Sequence, residues 1–284
     1  SALTGGRIPS PNDLDPSHRM SDSSTARDRL HAVVHDGEGP FCLLVAGALG
    51  TRSYWADNLE ALRSVCKPVI AEIWGHGRSP SPVDPHRYGV DALVDEFEVL
   101  REELNTDDWF TIGQSMGAAL TLHYGLVHPG RVRAQVITNS SSAFSEPEPW
   151  LVRNRTMVHD LAQQVEDDGV EVLRDSWINP GRSRRIAQPT RDLLAQEFDE
   201  HDELGIAQSL RITNAQLPLG DQLTDISRPT LMTNGVDEER FQELLPRVRL
   251  IPDVEIVDLP AAHAVNAQAP AEWNDAVVAF LRRH

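Results

Sequence analysis

The chain has 284 residues, 40% hydrophobic and 24% charged, enough apolar surface for a packed core and too much for global disorder. Its formal net charge of −17 repels phosphate backbones and anionic lipid, so neither nucleic acid nor a membrane surface is an expected partner. Lys67 is the only lysine, which excludes a P-loop and disfavours Schiff-base chemistry.

Residues 1–28 are rich in Ser, Pro, Asp and Gly, lack an apolar period and read as a flexible arm. Met20 lies inside this arm, and the residues before it are expected to be a leader added ahead of the natural start. The arm has no apolar signal-peptide core, and no apolar run reaches the roughly 18 residues of a membrane span, so a cytoplasmic location is expected. From residue 30 strands and helices alternate. Leu30–His35 reads as a strand and residues 36–40 (DGEGP) as a turn. Phe41–Ala46 is a short apolar run of the kind buried on both faces of a sheet. Cys42 within it, and Cys66, read as small buried hydrophobes; they make neither a disulfide framework nor a metal-spaced cluster. Ser53–Ser64 predicts a helix, and Pro68–Ile73 a second buried strand. Apolar residues at 90, 93, 94, 97 and 100 predict a helix over Val90–Leu104. Trp109–Ile112 is a strand, Met116–Val127 a helix stopped by Pro129-Gly130, and Val132–Thr138 a strand. Thr230–Thr233, Val254–Val257 and a last helix over Pro270–Leu281 resume the rhythm. Such repetition argues for a mostly parallel sheet covered by helices on both faces. Residues 145–228 interrupt it with helical stretches and no convincing strand, too long for a loop and expected to be a helical cap over the sheet. The sheet domain is then 29–144 with 229–284.

The chemistry concentrates at Gly113-Gln114-Ser115-Met116-Gly117, which follows a strand and opens a helix. That context makes a nucleophile elbow, a sharp turn that exposes a serine hydroxyl at the sheet edge. The helix N-terminus supplies partial positive charge where an oxyanion develops. A serine needs a base, and His263, after the last strand, is better placed than the other ten histidines. The base needs an orienting carboxylate past the preceding strand. Asp237 and Glu238 compete there; the shorter aspartate is favoured and Glu238 is the alternative.

From about residue 30 onward the chain resembles the α/β-hydrolase superfamily. The resemblance rests on the GQSMG elbow, VAGALGTRSYW after an early strand, EIWGHGRS at 72–79, HPGRV at 128–132, PTLMTNG before the acid, and His263 before the terminal helix. It implies an eight-stranded, mostly parallel sheet with a cap inserted where 145–228 falls. It also implies an oxyanion hole from the backbone amides of Ala48 and Met116, and no metal or cofactor. His76 falls in what looks like a structural turn shared by many relatives. Ala46-Gly47 stands where many relatives have His-Gly, Glu72 where an aspartate is usual, and Trp74 where an arginine is frequent. The acid commonly lies three residues past the strand-end glycine, which is Glu238 here; Asp237 is two past it.

A serine at the elbow, rather than the aspartate of the superfamily's dehalogenases and epoxide hydrolases, points to acyl chemistry. The leading expectation is hydrolysis of a small-molecule ester, lactone or thioester. A C–C hydrolase of β-diketones or vinylogous keto acids is the second. It would hold a substrate carboxylate with arginine, for which Arg52, Arg182, Arg184 and Arg185 are candidates. A non-catalytic small-molecule receptor on the same scaffold is the third. The sequence leaves the oligomeric state open, a homodimer included. Residues 145–228 carry −7 of the net charge, so the acidity belongs to the folded surface, with some concentration on the cap, and the favoured substrate is neutral or apolar.

Overall fold

The computed structural model describes residues 28–284. The arm, Asp28 apart, and Met20 lie outside the described residues.

Seven strands form one sheet: β1 (Ala32–Val34), β2 (Phe41–Val45), β3 (Lys67–Ala71), β4 (Trp109–Gly113), β5 (Val132–Thr138), β6 (Thr230–Gly235) and β7 (Glu255–Leu259). Their order is β1-β3-β2-β4-β5-β6-β7. Only β1 runs antiparallel, against β3; the other pairs are parallel. The eight strands implied by the resemblance become seven among the described residues. Among the described residues a single three-residue strand precedes β2.

The buried strands work by the period-2 rule. In β2, Leu43 and Val45 feed one face and Cys42 and Leu44 the other. The first face is covered by α1 (Val90–Glu103), which buries Val90, Leu93, Val94 and Phe97, and by α2 (Met116–Val127), buried nearly all round. Both cysteines are buried and free. The predicted helix over 53–64 is instead a 3-10 turn, Arg52–Trp55, and one helical turn, Leu59–Leu62. Tyr54 and Trp55 are both buried in the core, Tyr54 edge-on to Trp55 and Trp55 against Trp273 of the terminal helix.

Between β5 and β6 the described chain contains helices only. The main ones are α3 (Pro147–Asp168), α4 (Gln188–Glu197) and α5 (Glu203–Gln208), the last running into a π turn at Ser209–Thr213. This insertion has its own apolar cluster around Ala162, Val165, Leu173, Phe198 and Ile206. Ile186 and Leu194 join the second sheet face instead. That face is closed by α6 (Pro270–Leu281), through Trp273, Val277 and Phe280. No described helix is long and apolar enough to cross a membrane.

Candidate active site

Every sequence-predicted site residue follows the carboxyl end of a parallel strand: Ala48 after β2, Ser115 after β4, Asp237 and Glu238 after β6, His263 after β7. Ligands of such sheets bind along this edge.

Ser115 has φ 55 and ψ −117, a strained conformation for a residue with a side chain. The surrounding glycines make the turn possible by close approach. A Cβ on Gly117 would lie 2.0 Å from the Val45 carbonyl oxygen, and one on Gly113 would lie 2.4 Å from Thr121 Oγ1. The turn is also held from below, where the Ser140 hydroxyl donates to the Ser115 carbonyl at 2.7 Å.

The imidazole of His263 stands between serine and carboxylate. Its Nε2 is 2.9 Å from Ser115 Oγ, and its Nδ1 is 3.0 and 3.1 Å from the two oxygens of Glu238. Asn139 adds a third contact, donating to Glu238 Oε2 at 2.8 Å while its own carbonyl oxygen accepts from the Gly235 amide. Burial would push the Glu238 carboxyl up. Its hydrogen bond and charge contact with His263, with help from Asn139, outweigh that and hold it below the ordinary carboxylate range. A carboxylate kept ionised against Nδ1 selects the tautomer that leaves Nε2 free to take a proton.

Asp237, the favoured acid, is not at the imidazole. It points outward, exposed, to Arg185 Nη2 at 2.6 Å. The physical reason is the reach of the ladder past β6. Val236 N–H donates to Leu259 and Asp237 N–H to Ala261, so the chain turns inward one residue later, at Glu238.

The amides of Ala48 and Met116 have no protein acceptor among the described residues. The segment bearing Ala48 lies against Ser115: a Cβ on Gly47 would be 2.8 Å from Ser115 Cβ. Gln114 is the residue that sequence reasoning missed. Buried at the middle of the elbow, it accepts from Gly47 N–H at 3.0 Å and donates to the His263 carbonyl at 3.3 Å. It ties the Ala48 segment to the histidine loop, and its only signal was its place inside the motif.

Three of the four arginines considered for anion binding are otherwise engaged. Arg52 forks onto Glu200 at 2.7 and 2.8 Å and also meets Glu72 and Glu197. Arg182 pairs with Asp175, Arg185 with Asp237, and Arg184 is exposed. His76 is buried, donates to the Trp74 carbonyl and stacks edge-on with His201 at 5.6 Å. Among the described residues no His, Cys, Asp and Glu side chains cluster to hold a metal ion.

A family model described as the alpha/beta hydrolase fold matches residues 42–270. The chain belongs to the alpha/beta hydrolase family. Within this family it is 26% identical over 269 residues to RutD of Rhizobium rhizogenes, named as a carbamate hydrolase, covering 89% of this chain and 98% of that one. It is 25% identical to 3-oxoadipate enol-lactonase 2 of Acinetobacter baylyi, over 94% of this chain and 99% of that one. Among solved alpha/beta hydrolase structures, MenH from S. aureus superposes with a TM-score of 0.78 at 17% identity, covering 89% and 98% of the two chains. The relatives are named hydrolases, and the chain is a hydrolase of this family.

Proposed function

We propose that the chain is a serine hydrolase that cleaves a small, neutral ester, lactone or thioester through an acyl-enzyme. The observation that carries this reading is the continuous hydrogen-bonded line from Ser115 Oγ through His263 to Glu238. His263 Nε2 takes the hydroxyl proton as Ser115 Oγ attacks the acyl carbon. Glu238 holds the ring and stabilises the imidazolium that forms. The Ala48 and Met116 amides receive the oxyanion, each donor contributing about 3 kcal/mol to the barrier reduction. The imidazolium then protonates the leaving group. Water, deprotonated by His263, attacks the acyl-enzyme, and its collapse frees the acid and restores Ser115.

The reactions named for the two relatives, on a carbamate and an enol-lactone, both begin with attack at an acyl carbon. Lactones and carbamates therefore lead the substrate panel beside simple esters. A keto-acid C–C substrate would need a cationic anchor, and Arg52, the candidate beside the oxyanion segment, is already neutralised by three carboxylates. The insertion is read as a cap over this edge, and its position between β5 and β6 supports that. Ser115→Ala is expected to abolish turnover of p-nitrophenyl esters with an unchanged melting temperature. Retention of most activity would remove the serine mechanism.

A further inference from the structure

The segment just past Ala48 is gripped by the insertion. Leu49 has φ 57, a conformation that glycine adopts freely and leucine does not, so tertiary contacts must impose it. Its side chain is buried within the insertion's own apolar cluster, beside Phe198 and Ile206. His201, edge-on to Phe198 at 5.4 Å, accepts from Gly77 N–H through Nδ1 at 3.0 Å. Two residues on, Glu197 at the end of α4 accepts from Ser53 Oγ at 2.6 Å, from Ser53 N–H at 3.3 Å and from the Thr51 hydroxyl, and meets Arg52 at 3.2 Å. Glu72 of the sheet domain adds the Arg52 amide at 3.0 Å. Glu197 is itself buried, and hydrolysis as derived above gives it no task.

We propose that the insertion positions the Ala48 amide, with Leu49 as its anchor and Glu197 as its clamp, so that oxyanion stabilisation is complete only when the insertion is seated. This rests on the serine-hydrolase reading. Both are positioning residues; neither touches the reacting atoms. An oxyanion donor must sit within hydrogen-bond range of where the charge develops, and a rotation of the 47–48 peptide, which carries the Ala48 N–H, removes it. Leucine at this φ is then explained by its side chain, since the turn alone would be better served by glycine.

The test compares folded Leu49→Gly and Glu197→Gln with wild type on p-nitrophenyl acetate and on phenylboronic acid, whose tetrahedral Ser115 adduct places an oxygen at the amides. Leu49→Gly relieves the backbone while deleting the anchor. The expected result is a fall in kcat of about ten- to a hundredfold, below the loss of a whole donor, with KM within about threefold. Boronate affinity falls in parallel, and the pH profile set by the serine–histidine–glutamate line does not move. Glu197→Asp, which keeps the charge, falls between. Asp199→Asn, which breaks a surface pair with Arg174 inside the insertion, leaves kcat unchanged. Should Leu49→Gly unfold, Glu197→Gln and Ser53→Ala carry the test in the same direction. Folded variants whose kcat and boronate affinity stay within about twofold of wild type, or whose KM alone rises, overturn the proposal. Wild-type Ser115 that takes no fluorophosphonate label overturns the underlying reading as well.

Discussion

Ser115, His263 and Glu238 differ in how far each could be read before folding. Ser115 is announced by a five-residue pattern whose glycines are sterically required, and His263 by its place after the last strand. The acid is not local information. Asp237 and Glu238 are adjacent, and which one faces inward depends on how far the β6–β7 ladder runs on, here through Val236 and Asp237. The difference is measurable. In the proposed mechanism Glu238→Gln removes the charge that stabilises the imidazolium, and it is expected to lower kcat by about 10³–10⁴-fold. Asp237→Asn breaks only an exposed pair with Arg185, and kcat/KM should stay within about threefold of wild type. Steady-state kinetics on one ester decides it; equal losses in both variants would return Asp237 to the site.

At the scale of elements, the strands were legible because a parallel strand buried on both faces is a short, unbroken apolar run. Phe41–Val45 and Trp109–Gly113 are of this kind. The helix over 53–64 was not, because Tyr54 and Trp55 answer to contacts with the terminal helix and with each other. Nor were the contacts of α4, because Glu197 meets Ser53 across 144 residues of chain. The elbow itself depends on α2 packing hard against β2. Gly117→Ala would set a methyl 2.0 Å from the Val45 carbonyl oxygen, an atom that cannot move without breaking the sheet. Its expected cost is about 2 kcal/mol or more, with lost activity, read as a lower urea midpoint. An unchanged midpoint would mean that the elbow is looser than this packing implies.

Over the whole molecule, sheet domain and insertion are joined around His76 and His201. Burial holds His76 at about 4; burial, with the repulsion of His76, holds His201 at about 3. In the unfolded chain both protonate near the ordinary value of about 6.5. The unfolded chain therefore takes up protons that the fold refuses as pH falls below about 6.5. Stability is full above that pH and is lost progressively down to about 4 for His76 and about 3 for His201. Between 6.5 and 4.5 histidines act before the paired carboxylates protonate. The urea midpoint should fall across that interval, and His201→Gln should flatten the fall. A slope unchanged by that substitution would place the acid sensitivity elsewhere.

The proposed mechanism turns on an acyl group resting on the Ser115 hydroxyl. Acid quench of the enzyme during turnover of a p-nitrophenyl ester, followed by intact-mass and peptide mapping, tests this directly. The expected result is an adduct of the acyl mass on the peptide that carries Ser115, absent from Ser115→Ala. An adduct on any other residue, or none together with turnover that survives Ser115→Ala, would contradict it.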